Sequence, residues 1–205
     1  KLTGDNKYRE IAITHANTTL KNHFRPDASS YHVVDYDPET GAVLKRVTAQ
    51  GYANESAWAR GQAWALYGYT MCYRYTNDKK YLDFAQRVAT FILNHPNYPA
   101  DGVPYWDFNA PDIPNAMRDA SSGAIMASAF LELCKYTDNK YLTNAQHILK
   151  SLASDKYASK TGENGNFILK QSVGSLPHNR EVNVPLNYAD YYFIEALTRL
   201  NEMNL

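Results

Sequence analysis

The sequence predicts an all-α fold of the α/α-toroid type: about six helices forming half of an (α/α)6 ring, with a β-hairpin in one connecting loop. Three observations point there. A motif recurs three times, with Asp5, Lys7, Tyr8 and Ala12 matched by Asp78, Lys80, Tyr81 and Ala85, and again by Asp138, Lys140, Tyr141 and Ala145. Each copy is partnered by a segment rich in Ala, Gly, Ser and aromatic residues and poor in charge, over 56–75, 119–136 and 185–201. The joints alternate, tight at 75–77 and 136–137 but long at 24–54, 96–117 and 154–183. Outer and inner helices joined by short turns at one end and long loops at the other describe a toroid whose long loops line one open face. Binding residues concentrate on such loops. Residues 1–205 are read as a single domain, half of a twelve-helix ring.

The elements follow in order. Asp5 opens the first outer helix, near 6–23, as its N-cap, and Tyr8 and Ala12 share one face. In the first long loop, alternating segments from Tyr31 to Tyr36 and from Ala42 to Gln50 flank Asp37-Pro38-Glu39-Thr40-Gly41 and read as a hairpin. It delivers His32, Thr48 and Gln50 to the mouth of the ring, although a lone histidine is more often a packed or solvent-facing one. The first inner helix carries Trp58, Arg60 and Trp64. Arg60 and Trp64 lie one turn apart on one face, a fork of donors for a carboxylate beside an indole that covers a pyranose. A core-facing helix with a snorkelling arginine is the plainer alternative.

The second outer helix spans 79–95, and the proline-rich loop after it holds Tyr105-Trp106-Asp107 and Arg118-Asp119. Asp119 is either the cap of the inner helix over 119–136 or a carboxylate in the site. Because Asp107 and Asp119 flank one loop, a two-carboxylate hydrolase stays open. Beyond the third outer helix, near 139–153, the last long loop carries Ser172-Val173-Gly174-Ser175 and His178. Hydroxyls beside a glycine suit sulfate or sugar hydroxyls and are also routine in loops. Tyr188 to Tyr192 begin the final inner helix.

Composition narrows the partners. Lys plus Arg is 21 and Asp plus Glu is 21, with no basic run or stripe, so neither a nucleic acid nor a membrane surface is expected as partner. The 17 tyrosines and 3 tryptophans fit a site that stacks and hydrogen-bonds carbohydrate. Cys72 and Cys134 fall in helical patterns without metal-ligand spacing and read as buried thiols. No segment approaches 18 uninterrupted apolar residues. There is no Gly-x-Ser-x-Gly elbow, phosphate loop, His-Glu-x-x-His or Cys-x-x-Cys, and no cofactor or metal is expected.

Four ordered motifs carry a resemblance: Trp58-Ala59-Arg60-Gly61-Gln62-Ala63-Trp64, Val103-Pro104-Tyr105-Trp106-Asp107-Phe108, Arg118-Asp119-Ala120-Ser121-Ser122-Gly123-Ala124 and Tyr188-Ala189-Asp190-Tyr191-Tyr192. Together they resemble the unsaturated glucuronyl hydrolases of glycoside hydrolase family 88. That resemblance implies the C-terminal half of an (α/α)6 barrel, and hydration of the vinyl ether of a 4,5-unsaturated uronic acid on lyase-generated glycosaminoglycan oligosaccharides. It implies substrate contacts at His32, Thr48, Gln50, Trp58, Arg60 and Trp64, with Ser172 and Ser175 meeting the acceptor sugar. His32 would support a catalytic aspartate expected upstream of Lys1, and the other half of the barrel would be a partner. Two alternatives stand beside it, an unsaturated rhamnogalacturonyl hydrolase acting on pectin fragments and a non-catalytic carbohydrate-binding scaffold. The compartment, cytoplasmic or periplasmic, is left open.

Overall fold

A computed structural model of the chain describes residues 3–203. It contains six α-helices: α1 (Asn6–Asn22), α2 (Ala59–Thr76), α3 (Lys79–Asn94), α4 (Ala120–Cys134), α5 (Leu142–Leu152) and α6 (Asn187–Glu202). Helices α2, α4 and α6 pack side by side with α4 in the middle, while α3 backs α2 and α5 backs α4. Their composition explains the order. All fifteen residues of α4, ASSGAIMASAFLELC, are buried, and its alanines, serines and Gly123 let neighbouring backbones close in on every side. In α3 the apolar residues instead form one stripe, Tyr81, Leu82, Phe84, Ala85, Val88, Ala89 and Ile92, with Lys79, Lys80 and Asp83 outside. The inner and outer helices therefore stand where the sequence places them.

The repeated caps hold in two copies and fail in the third. Asp5 accepts from Lys7 N at 2.8 Å, and Asp78 accepts from Lys80 N at 3.1 Å. Asp138 and Asn139 instead take left-handed backbone angles, with φ of 49° and 58°, so the chain continues through turns and α5 starts at Leu142 instead of 139. Asp and Asn are among the few side chains that tolerate that region.

The first long loop forms the expected hairpin, β1 (Val33–Tyr36) antiparallel to β2 (Val43–Val47), with Asp37 Oδ1 accepting from Glu39 N and Thr40 N in the turn. The third long loop holds an unexpected second hairpin, β3 (Ser172–Ser175) paired with β4 (Arg180–Val184). No alternation marks it, because β3 is buried on both faces and β4 is broken by left-handed Glu181 and Asn183. Helix α1 packs more loosely than the others: Ala16 is its one buried residue, and Tyr8 and Ile11 face outward.

Both cysteines are free, and burial pushes their thiols up. Among the described residues no helix is long and apolar enough to cross a membrane, and no group of three or more His, Cys, Asp or Glu side chains is placed to hold a metal ion.

The two kinds of Asp-x-Lys-Tyr start should respond differently to substitution. Asp78→Ala removes a helix cap and should lower the thermal midpoint. Asp138→Gly relieves a left-handed backbone and should leave the midpoint unchanged or raise it.

Candidate functional site

The long-loop end of the half-ring gathers most of the residues singled out in the sequence. Gln50 and Trp58 frame the hairpin loop, and their neighbours fix it in place. Thr48 Oγ1 accepts from Gly51 N at 2.9 Å, and Gln50 Nε2 donates to Gly174 O at 2.8 Å, tying the first loop to β3. His32 sits under this loop. Its Nδ1 receives two backbone amides, Ala49 N at 3.1 Å and Gln50 N at 3.0 Å, while Thr48 Oγ1 lies 3.4 Å away. An atom that accepts from two N–H groups carries a lone pair, so the ring's proton is on Nε2. Burial, helped by the Arg60 charge, holds the His32 pKa below its ordinary value, which agrees with a neutral ring.

Trp58 joins His32 to α2. Its ring lies 4.3 Å from the His32 ring and 4.5 Å from the Arg60 guanidinium. Trp64 meets Tyr192 of α6 edge-on at 5.1 Å, with Tyr67 at 6.4 Å. His32, Trp58, Gly61 and Trp64 line a cleft of about 500 Å³ between α1 and α2.

Arg60 departs from expectation. Its guanidinium turns to Trp58 and not to Trp64, and only 3% of the residue is exposed. Nη1 pairs with Asp119 Oδ2 at 3.0 Å and donates to Val173 O, and Nη2 donates to Gly174 O at 2.6 Å. The fork thus grips protein acceptors from α4 and β3, where the sequence suggested a ligand carboxylate. Asp119 combines both of its foreseen roles, capping α4 through Ser121 N at 3.2 Å while serving as the counter-ion. It also accepts from the Ser121 and Ser122 hydroxyls, each at 2.6 Å, and from Val173 N at 3.3 Å.

The two-carboxylate reading does not survive. Asp107 is also fully buried and accepts from Tyr52 N at 2.9 Å, Ser56 Oγ at 2.7 Å and Asn109 N at 2.8 Å. Neither carboxylate faces solvent or cleft, so neither can protonate a bound sugar. The serines of β3 also divide: Ser172 is fully buried and away from any surface, whereas Ser175 bonds His178 Nδ1 at 2.7 Å at the edge of an open polar recess with Gln50, Arg180 and Glu181. Gln62, passed over in the sequence, is a buried anchor that accepts from Ser30 N at 2.7 Å and donates to Ala28 O at 3.2 Å. Its place on a helix of small residues was the one available hint.

Aromatic rings and a neutral histidine at the long-loop end of the inner helices mark half of an α/α toroid. No protein-family model matches the chain. Comparison of whole sequences and structures identifies it more closely as a relative, along its full length, of the unsaturated glucuronyl hydrolases of glycoside hydrolase family 88. It is 53% identical over 206 residues to the unsaturated glucuronyl hydrolase of Formosa agariphila, covering 100% of this chain and 52% of that protein. A crystal structure of an unsaturated glucuronyl hydrolase specific for heparin superposes with a TM-score of 0.92 at 56% identity, over 93% of this chain and 52% of the other. A mutant of the Streptococcus agalactiae enzyme complexed with dGlcA-GalNAc6S gives a TM-score of 0.83 at 36% identity, over 97% of this chain and 54% of that one. The chain spans about half the length of the relatives it matches.

Two measurements test this geometry. Arg60→Ala should destabilise the fold by about 3–5 kcal/mol in denaturant titration, because it leaves Asp119 charged, buried and without its counter-ion. His23, His32 and His95 all have pKa values lowered chiefly by burial. Folding holds each neutral, so their contribution is fully present above the unfolded value of about 6.5 and is lost as pH falls below it. The thermal midpoint should accordingly decline on acidification from about pH 6.5.

Proposed function

We propose that this chain is the saccharide-holding half of an enzyme that removes a 4,5-unsaturated uronic acid from lyase-generated glycosaminoglycan oligosaccharides by hydrating its vinyl ether. The observation that carries the reading is the His32, Trp58 and Trp64 cleft on a chain matched along its whole length by unsaturated glucuronyl hydrolases. In that reaction a carboxylic acid protonates C4, water adds at C5, and the resulting hemiketal opens and releases the saccharide. The positive charge that develops at C5 is best met by neutral, electron-rich surroundings. Trp64 offers an indole face to the sugar ring, and a neutral His32 offers an Nε2–H donor without adding a repelling cation. Thr48 and Gln50 shape the wall beside His32, and Ser175 stands toward the acceptor sugar. Arg60 acts from behind this wall, by fixing β3 and Trp58.

The proton donor would come from the rest of the enzyme, since Asp107 and Asp119 are enclosed. The other half of the ring is the proposed partner. It would cover the outward apolar face of α6, Tyr191, Ile194 and Leu197.

The test is turnover of an unsaturated disaccharide panel, followed by loss of the alkene absorbance. The full-length protein that carries this chain should consume uronyl disaccharides from glycosaminoglycans and leave pectin-derived rhamnogalacturonyl disaccharides untouched; the reverse preference would overturn the reading. Trp64→Ala should lower kcat/KM about 10-fold or more. The isolated 205-residue chain should show no turnover.

A further inference from the structure

The loop over His32 has no regular structure, yet it must present two consecutive amides to one nitrogen. Its register is set from below. The buried Asp107 carboxylate accepts from Tyr52 N and Ser56 Oγ through Oδ2, and from Asn109 N through Oδ1. Asn109 Oδ1 in turn accepts from Ala57 N, and Phe108 N donates to Ala57 O, so the Asp107 segment runs beside the strand-like stretch that carries Trp58. Tyr52 follows Gln50 by two residues, and Gly51 between them leaves no room for a side chain: a Cβ there would stand 2.6 Å from Thr48 Oγ1 and 3.1 Å from Asp107 Oδ2. A carboxylate is suited to this position because it accepts at both oxygens, whereas a neutral amide would oppose one of its donors with an N–H.

We propose that Asp107 is a positioning residue for the cleft: it pins Tyr52 and Ser56 so that the amides of Ala49 and Gln50 both point at His32 Nδ1, which fixes His32 as an Nε2–H donor. Asp107 touches neither His32 nor the cleft. It acts through seven residues of backbone, from Gln50 to Ser56. The charged group facing His32 from α2 is Arg60, itself held by Asp119, and it favours the neutral ring whatever the state of Asp107. The loop amides supply the part that selects the tautomer.

The proposal rests on the reading of His32 as a cleft residue, and its test is chosen to stand apart from catalysis. In the full-length protein labelled with 15N-histidine, with His32 assigned through His32→Gln, long-range nitrogen–proton spectra report which ring nitrogen carries the proton and its pKa. The native protein should show an unprotonated Nδ1 and a pKa below 6.5. Asp107→Asn should move the His32 pKa up by about half a unit or more and mix the two tautomers. Ser56→Ala, which keeps the carboxylate and removes one donor, should give a smaller shift in the same direction. On the unsaturated disaccharide, kcat/KM should fall about 10-fold or more in Asp107→Asn. A folded Asp107→Asn protein whose His32 tautomer and pKa match the native ones would overturn the proposal, whatever happens to its thermal midpoint. Should Asp107→Asn fail to fold, Ser56→Ala decides on the same two readings. Altered His32 spectra with no turnover in any form would uphold the positioning role and count against the proposed reaction.

Discussion

The buried ion pair between Arg60 and Asp119 is the constraint on which the open face of the half-ring depends. Arg60 comes from the first turn of α2, Asp119 caps α4, and the remaining guanidinium bonds reach the carbonyls of Val173 and Gly174 in β3. One side-chain pair thus joins two inner helices and the hairpin of the last long loop. Two charges without water are stable only when nearly every donor and acceptor finds a partner. Here Asp119 is met by Arg60, two serine hydroxyls and the amides of Ser121 and Val173. Trp58, stacked on the guanidinium, closes off the side nearest His32.

A second buried carboxylate works in parallel without a counter-ion in contact. Asp107 is satisfied by backbone and hydroxyl donors alone, and it organises a loop where Asp119 organises helices. Together the two acids turn three long, irregular connections into one wall. Gln50 completes that wall by bonding across to Gly174, the residue whose carbonyl Arg60 also holds. The polar groups with the most chemical potential in the sequence are therefore mostly spent on architecture. The rings of Trp64 and Tyr192, edge to face at 5.1 Å, stand outside that polar network.

How legible this was depended on the range of the interaction. The helices, their inner and outer order and the first hairpin follow from local patterns: a repeated cap, a stripe in α3, an apolar and small-residue α4, a turn motif at 37–41. The third cap looked identical in sequence and is not one, because Asp138 and Asn139 both adopt left-handed angles that the letters do not specify. The β3–β4 hairpin escaped for a similar reason, since four buried residues facing a strand with two left-handed kinks leave no period of two. Arg60 is conspicuous in the sequence, but its neighbour is not. Spacing of four on a helix puts Trp64 within reach, yet the partners that decide the guanidinium's direction lie 59 and 113 residues away. The carboxylates of Asp107 and Asp119 were noticed as chemistry, and only their burial reveals them as scaffolding.

Helix α4 has a further consequence for how the chain acquires its structure. A helix buried on every side has no face that water can solvate while its neighbours are still unformed. Its many small residues add little hydrophobic drive until α2, α5 and α6 are all in place around it. Its burial therefore depends on contacts that reach from α2 to α6, between residues far apart in sequence. Once formed, its amides can exchange with solvent only when most of the half-ring opens at once. By contrast α1 buries Ala16 alone and is tied to α2 and α3 through the hydroxyls of Tyr69 and Tyr81, which donate to Ala16 O and Asn17 Oδ1. Among the described residues burial is therefore uneven, complete in α4 and slight in α1, on opposite sides of α2.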